Sequence, residues 1–165
     1  MALFKKPISF VEASKTLGYA AHSALFPEDA RNFLASFDRT KNKYELVFSM
    51  VGSFIAAEAV FMYNRIGNYD VRQFIENACY MASLCNDPSQ ERGLIAATCN
   101  NNLYVILDHS LSENEAISRI TDNYINQNGL QSVSQPYVDN LFNNIMNMKT
   151  VIGKFFDVYR ISSLN

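Results

Sequence analysis

Residues 53–63, SFIAAEAVFMY, place a single carboxylate, Glu58, inside an otherwise apolar or small-residue stretch. Extended outward to 43–66 and wound at 100° per residue, the segment puts Val47, Val51, Phe54, Ile55, Phe61 and Met62 on one stripe, with Glu58 at its middle. Arg65, seven residues further on, falls on the same side near the end of the run. The opposite face carries Glu45, Ser49, Gly52, Ser53, Ala56 and Ala59, small enough for another helix to approach closely. A helix with so little to offer solvent belongs at the centre, so the reading predicts a helix over 43–66 covered on both faces.

A buried carboxylate is not left alone, because an unpaired charge in a core costs several kcal/mol and is relieved by a partner or by a proton. Four readings of Glu58 follow. The structural one has it accept hydrogen bonds from a Tyr, Asn, Arg or His of a packed helix and so fix the register of the bundle. The second is a metal site. The carboxylate sites of ferritin-like bundles need Glu-x-x-His pairs, and the two histidines, His22 and His109, are preceded at that spacing by Tyr19 and Ile106. What remains is a simpler set of Glu58, His22 and Asp108. The third is a membrane span over 46–63, just long enough for a hydrocarbon core, against which a central acid counts about 2.5 to 3.5 kcal/mol. The fourth has Glu58 line a pocket with Arg65 and His22 as companions for a ligand.

The punctuation around this segment is that of helices. Ser9 with Glu12 and Ser112 with Glu115 are capping boxes, in which hydroxyl and carboxylate each satisfy a free backbone amide. Asp87, Pro88 and Gln90 supply an N-cap, a proline at the first helical position and a polar third residue, and Asp70 with Gln73 is a weaker version. Pro27, Glu28 and Asp29 give a proline start with acids in the first turn. These starts predict helices at about 9–25, 27–37, 43–66, 70–85, 88–109, 112–127 and 135–161. Gly67-Asn68 and Asn128-Gly129 fit helix stops. No segment alternates apolar and polar residues over strand length, so no sheet is expected.

The last helix carries Val138, Leu141, Ile145, Met148, Ile152, Phe155 and Tyr159 in alternating steps of three and four. Phe142, Val151, Phe156 and Val158 make the seam wider than the two positions a dimeric zipper uses, which favours an intramolecular core over a homodimer. The expectation is one all-helical domain over 1–165, a compact bundle of six to seven mostly antiparallel helices with 43–66 at its centre and a long C-terminal helix.

Composition narrows the function classes. The chain has 165 residues, 48% of them hydrophobic and 18% charged, which suits a globular protein that folds unaided. Fourteen basic against sixteen acidic residues, with the basic ones dispersed, give a nucleic acid little to hold. Cys79, Cys85 and Cys99 are an odd number without Cys-x-x-Cys spacing and read as buried free thiols in a reducing cytoplasm, with a reactive thiol or a Cys79–Cys85 bridge as the alternatives. The first residues do not develop a signal peptide. The six glycines are isolated, so there is no phosphate loop, and no nucleophile elbow accompanies any Ser, His and Asp set. No cofactor is indicated.

Asp108, His109 and Glu113 place two acids near an imidazole, yet Ser112 starts a new helix between them, which makes charge stabilisation and capping the plainer account. Tyr63, Tyr69, Tyr80, Tyr104 and Tyr124 are candidate interface residues, since a tyrosine is apolar along its ring and polar at its tip. The function these features favour is a non-catalytic helical protein-binding module whose partner is another protein or a second copy of itself. A small-molecule or metal-binding bundle organised around Glu58 is the alternative.

Overall fold

The computed structural model describes residues 4–25, 27–36, 43–83 and 88–162. They form β1 (Lys6–Ile8), α1 (Phe10–Ser23), α2 (Glu28–Ala35), α3 (Lys43–Ile66), α4 (Val71–Ala82), α5 (Pro88–Asn101), α6 (Leu103–Leu107), α7 (Glu113–Gln127), α8 (Gln135–Met146), α9 (Met148–Val158) and β2 (Tyr159–Ile161). The fold is an all-α bundle built around α3, which touches each of the other helices. From Phe48 to Ala59 every residue of α3 is buried, more than three turns without a face in solvent.

Local signals set the starts. Both capping boxes form, Ser9 with Glu12 and Ser112 with Glu115, and Asp70 accepts the Gln73 amide at 3.0 Å. Pro27 stands one position earlier than expected, as the N-cap of α2. Asp87, the expected cap of α5, lies outside the described residues. Gly67 and Gly129 take positive φ of 67° and 65°, the left-handed turn that stops α3 and follows α7.

Close approach sets the packing. A Cβ on Gly52 would stand 2.6 Å from Thr98 Cβ and 2.8 Å from the Ile95 carbonyl, so α5 crosses α3 where the side chain is missing. Gly18 does the same for α1 on α4, where a Cβ would meet the Ala78 backbone, its Cα at 2.6 Å. On the other side α7 is fastened to α3 by polar contacts. The Tyr124 hydroxyl donates to the Leu46 carbonyl at 3.1 Å, and Asn128 Nδ2 donates to Ser49 Oγ at 3.1 Å.

Three expectations are corrected. The run 88–109 breaks at Asn102, whose side-chain amide donates to the Thr98 carbonyl at 2.8 Å while its backbone amide reaches both Thr98 and Cys99. Such a local bond competes with the helical ladder, and the chain restarts as α6. The run 135–161 is interrupted at Asn147 and leaves the helix at Tyr159, so the single long C-terminal helix is two helices and a strand. Leu141, Ile145, Met148, Ile152 and Phe155 are buried as the seam requires, whereas Val158 is exposed and Tyr159 lies in β2.

A sheet also exists. β1 and β2 pair in parallel, with Lys6 opposite Tyr159 and Ile8 opposite Ile161, and the Ser162 amide donates to the Ile8 carbonyl at 2.9 Å. Strands of three residues are too short to show alternation.

The glycine contacts make a direct forecast for denaturant unfolding. Gly52→Ala and Gly18→Ala each lower the unfolding free energy by about 1–3 kcal/mol through overpacking. Gly93→Ala, in α5 where nothing lies within 4 Å of an added Cβ, raises it by up to about 1 kcal/mol.

Candidate functional site

Glu58 is fully buried, and neither of its carboxylate oxygens has a hydrogen-bond partner among the described residues. The expected donor from a neighbouring helix is therefore not there. Burial alone pushes the carboxyl well above its ordinary value of 4.5, because an apolar surrounding penalises the charged form. Burial thus favours the protonated form, and no partner among the described residues holds the charge.

The residues expected to join it lie elsewhere. Arg65 is exposed at the end of α3, its guanidinium 3.7 Å from where a Cβ on Gly153 of α9 would sit. His22, half-buried in α1, is held below its ordinary value by burial, with the charge of Glu91 acting in the opposite direction. Asp108 follows α6, where it accepts the Ser110 amide at 3.2 Å and lies 4.0 Å from Arg119. Among the described residues no three His, Cys, Asp or Glu side chains come together to hold a metal ion, so the set of Glu58, His22 and Asp108 is not assembled.

The Asp108, His109 and Glu113 constellation is drawn in three directions. His109 stacks on Tyr63 with ring centroids 3.6 Å apart and planes within 5°. Glu113 accepts from Asn64 Nδ2 at 2.7 Å and from Lys149. Burial pushes Glu113 up, but those two hydrogen bonds together with the charges of Lys149 and Arg65 outweigh it and hold the carboxyl below the usual range. These contacts tie the ends of α3, α7 and α9 together. No proton-relay geometry results, since none of the three faces another as donor and acceptor.

The five tyrosines divide by exposure. Tyr69 and Tyr124 spend their hydroxyls on backbone carbonyls of α3, at Ala59 and Leu46, and burial pushes both phenols up. Tyr124 is fully buried and offers no surface on this bundle, whereas Tyr69 is part-buried with its hydroxyl engaged. Tyr63 is half-buried under His109. Tyr80 and Tyr104 are exposed, and so are Tyr19 and Tyr44, which the sequence did not single out.

The exposed face of α4 is bordered by two recesses among the described residues. Arg72, Glu76 and Tyr80 follow at steps of four along its outer side. Between α4 and α5 runs a groove of about 200 Å³, with Ile75, Cys79, Ala96 and Leu103 among its apolar lining and Arg72 and Arg92 on its rim. Between α4 and α1 lies a shallower recess of about 450 Å³ bordered by Lys15, Tyr19 and Met81. Lys15 Nζ and the Arg92 guanidinium stand 5.7 and 5.5 Å from the Tyr80 ring centroid, close enough for cation–π attraction. None of Lys15, Arg72 and Arg92 forms an ion pair within the described residues. Glu58 lines neither recess.

The unbonded carboxyl has a pH signature. A carboxyl whose folded pKa exceeds its unfolded one contributes fully below the unfolded value, and that contribution is lost as pH rises toward the folded one, at up to about 1.4 kcal/mol per pH unit. Asp108, Glu113 and Glu115 are held low and lose their contributions only in acid. His22, lowered by burial, acts with the opposite sign below 6.5. The comparison with Glu58→Met isolates the one group. In urea titrations the variant is more stable than the parent at pH 8, by roughly 1–3 kcal/mol, with a smaller margin at pH 5. Parallel profiles would mean that Glu58 is ionised in both states. No family model, no curated protein and no solved structure matches this chain, so a functional reading rests on this geometry.

Proposed function

We propose that this chain is a non-catalytic helical protein-binding module of a reducing, cytoplasmic compartment, and that it binds its partner through the outer face of α4. The observation that carries the reading is the surround of Tyr80: an exposed aromatic ring between two recesses, flanked by cations from α1 and α5 that have no acidic partner among the described residues. Tyrosine and arginine are the residue types in which binding energy concentrates, and an apolar groove rimmed by charge is how a helix or an extended segment is held. The excess of Lys15, Arg72 and Arg92 over Glu76 and Glu12 selects an acidic segment with apolar side chains. Free thiols at Cys79 and Cys99 are in keeping with a reducing compartment.

The central helix does not argue for a membrane role. Tyr44–Ile66 is long and apolar enough to cross a bilayer, yet 83% of its most apolar window is buried inside the bundle. A small-molecule or metal-binding bundle around Glu58 is the second reading, favoured by the two unbonded oxygens.

One experiment separates the readings. The protein is purified from its own cells with whatever remains attached, the partner is identified, and its affinity is measured by titration. Tyr80→Ala and Arg92→Ala each weaken binding about tenfold or more, and Lys154→Ala on α9 leaves it unchanged. If the partner is a second copy, sedimentation gives the same ranking. A ligand at Glu58 would reverse the pattern, with Glu58→Met abolishing binding and the α4 variants silent.

A further inference from the structure

Beneath the α4–α5 groove lie two cysteines. Cys79 of α4 and Cys99 of α5 are buried free thiols with their sulfurs 3.8 Å apart. Cys99 Sγ also lies 3.4 Å from the Gly52 carbonyl, to which its thiol donates, at the point where α5 crosses α3. Either sulfur can be the donor in the contact between them. Cys79 lines a groove of about 200 Å³ that opens to solvent, while Cys99 is sealed in the core. One thiol therefore stands where a small oxidant can arrive, and the other stands in contact behind it.

We propose that Cys79 and Cys99 form a reversible oxidation site, in which a hydroperoxide entering the α4–α5 groove oxidises Cys79 and Cys99 resolves the product to a disulfide. In the first step the Cys79 sulfur attacks one peroxide oxygen. An S–O bond forms, the O–O bond breaks, and the leaving oxygen takes the proton released by Cys79 and departs as water when the oxidant is hydrogen peroxide. Sulfur has lost two electrons and the peroxide has gained them. In the second step the Cys99 sulfur attacks the Cys79 sulfenic acid. The S–S bond forms, the S–O bond breaks, and hydroxide leaves with the Cys99 proton as a second water. Two thiols and one hydrogen peroxide give one disulfide and two waters.

The geometry suits this order of events. Hydrogen peroxide is little larger than water and fits the groove. Closing 3.8 Å to a disulfide bond of about 2.05 Å needs only side-chain rotation with a small approach of two helices already in contact. The hydrogen bond with Cys79, followed by burial, holds the Cys99 thiol well above its ordinary value. Cys99 is sealed from the groove and meets an oxidant only through Cys79, so the 3.8 Å contact suits it to resolve the sulfenic acid it touches. A partner seated over the groove would close the peroxide's path to Cys79, so the site is open in the free chain.

The test uses the full chain with Cys85→Ser, so that Cys79 and Cys99 are its two cysteines. The folded protein is treated with hydrogen peroxide, blocked with N-ethylmaleimide and digested with trypsin without reduction. Cleavage after Arg72, Arg92 and Arg119 puts Cys79 in the fragment 73–92 and Cys99 in 93–119. The expected product is the two fragments joined and separated again by dithiothreitol, with the circular dichroism of the helices retained throughout. Adding Cys99→Ser leaves a sulfenic acid at Cys79 that dimedone traps, and adding Cys79→Ser leaves Cys99 reduced. The proposal is overturned if both thiols stay reduced in the folded protein, if the joined fragments arise only in denaturant, or if Cys79 passes to the sulfinic acid without bridging. In the unsubstituted chain, a bridge confined within 73–92 would also overturn it, because that pairs Cys79 with Cys85.

Discussion

The structure depends on burying α3 on every side. From Phe48 to Ala59 the helix has no solvent face, so each neighbour is placed by what it must cover. Glycine admits α5 at Gly52, and polar side chains of α7 dock at Leu46 and Ser49. The cost falls on Glu58. A neutral carboxyl without a hydrogen bond costs about 1–3 kcal/mol, close to the gain from burying one large apolar side chain. The helix buries eight of those: Leu46, Phe48, Met50, Val51, Phe54, Ile55, Phe61 and Met62. Packing therefore overrides the preference of a single acid for water, provided the acid keeps its proton.

Much of this was legible in the residues themselves. The capping boxes at Ser9 and Ser112 act within four residues, and a local signal reads out directly. The stripe on 43–66 and the small residues opposite it announced a central helix. What could not be read depends on pairings far apart in the chain. β1 pairs with β2 although the two lie at opposite ends of the described sequence, and neither strand is long enough to show a period. Asn102 follows Asn100 and Asn101 in the sequence, and its helix-breaking bond is visible only with the Thr98 carbonyl in place. Gly18 gave no sign that α4 would press against it.

The candidate sites show the same division. Glu58 was found from its pattern, but its lack of a donor is a fact about the helices around it. The i, i+4 series on α4 was available in the sequence. That α1 and α5 would bring Lys15 and Arg92 to the Tyr80 ring was not, because those approaches follow from the packing of three helices. The two cysteines were read as core thiols, which they are. Their contact arises because α4 and α5 pack side by side over α3.

The protonation of Glu58 in the folded protein tests the central constraint most directly. Infrared difference spectra of the parent and Glu58→Gln at pH 7 report it through the carbonyl stretch of a protonated acid. A band present in the parent and missing from the variant is the predicted result. Its absence, with an extra carboxylate band in the parent instead, would mean that the buried acid is ionised and that a partner or water reaches it in the core of the bundle.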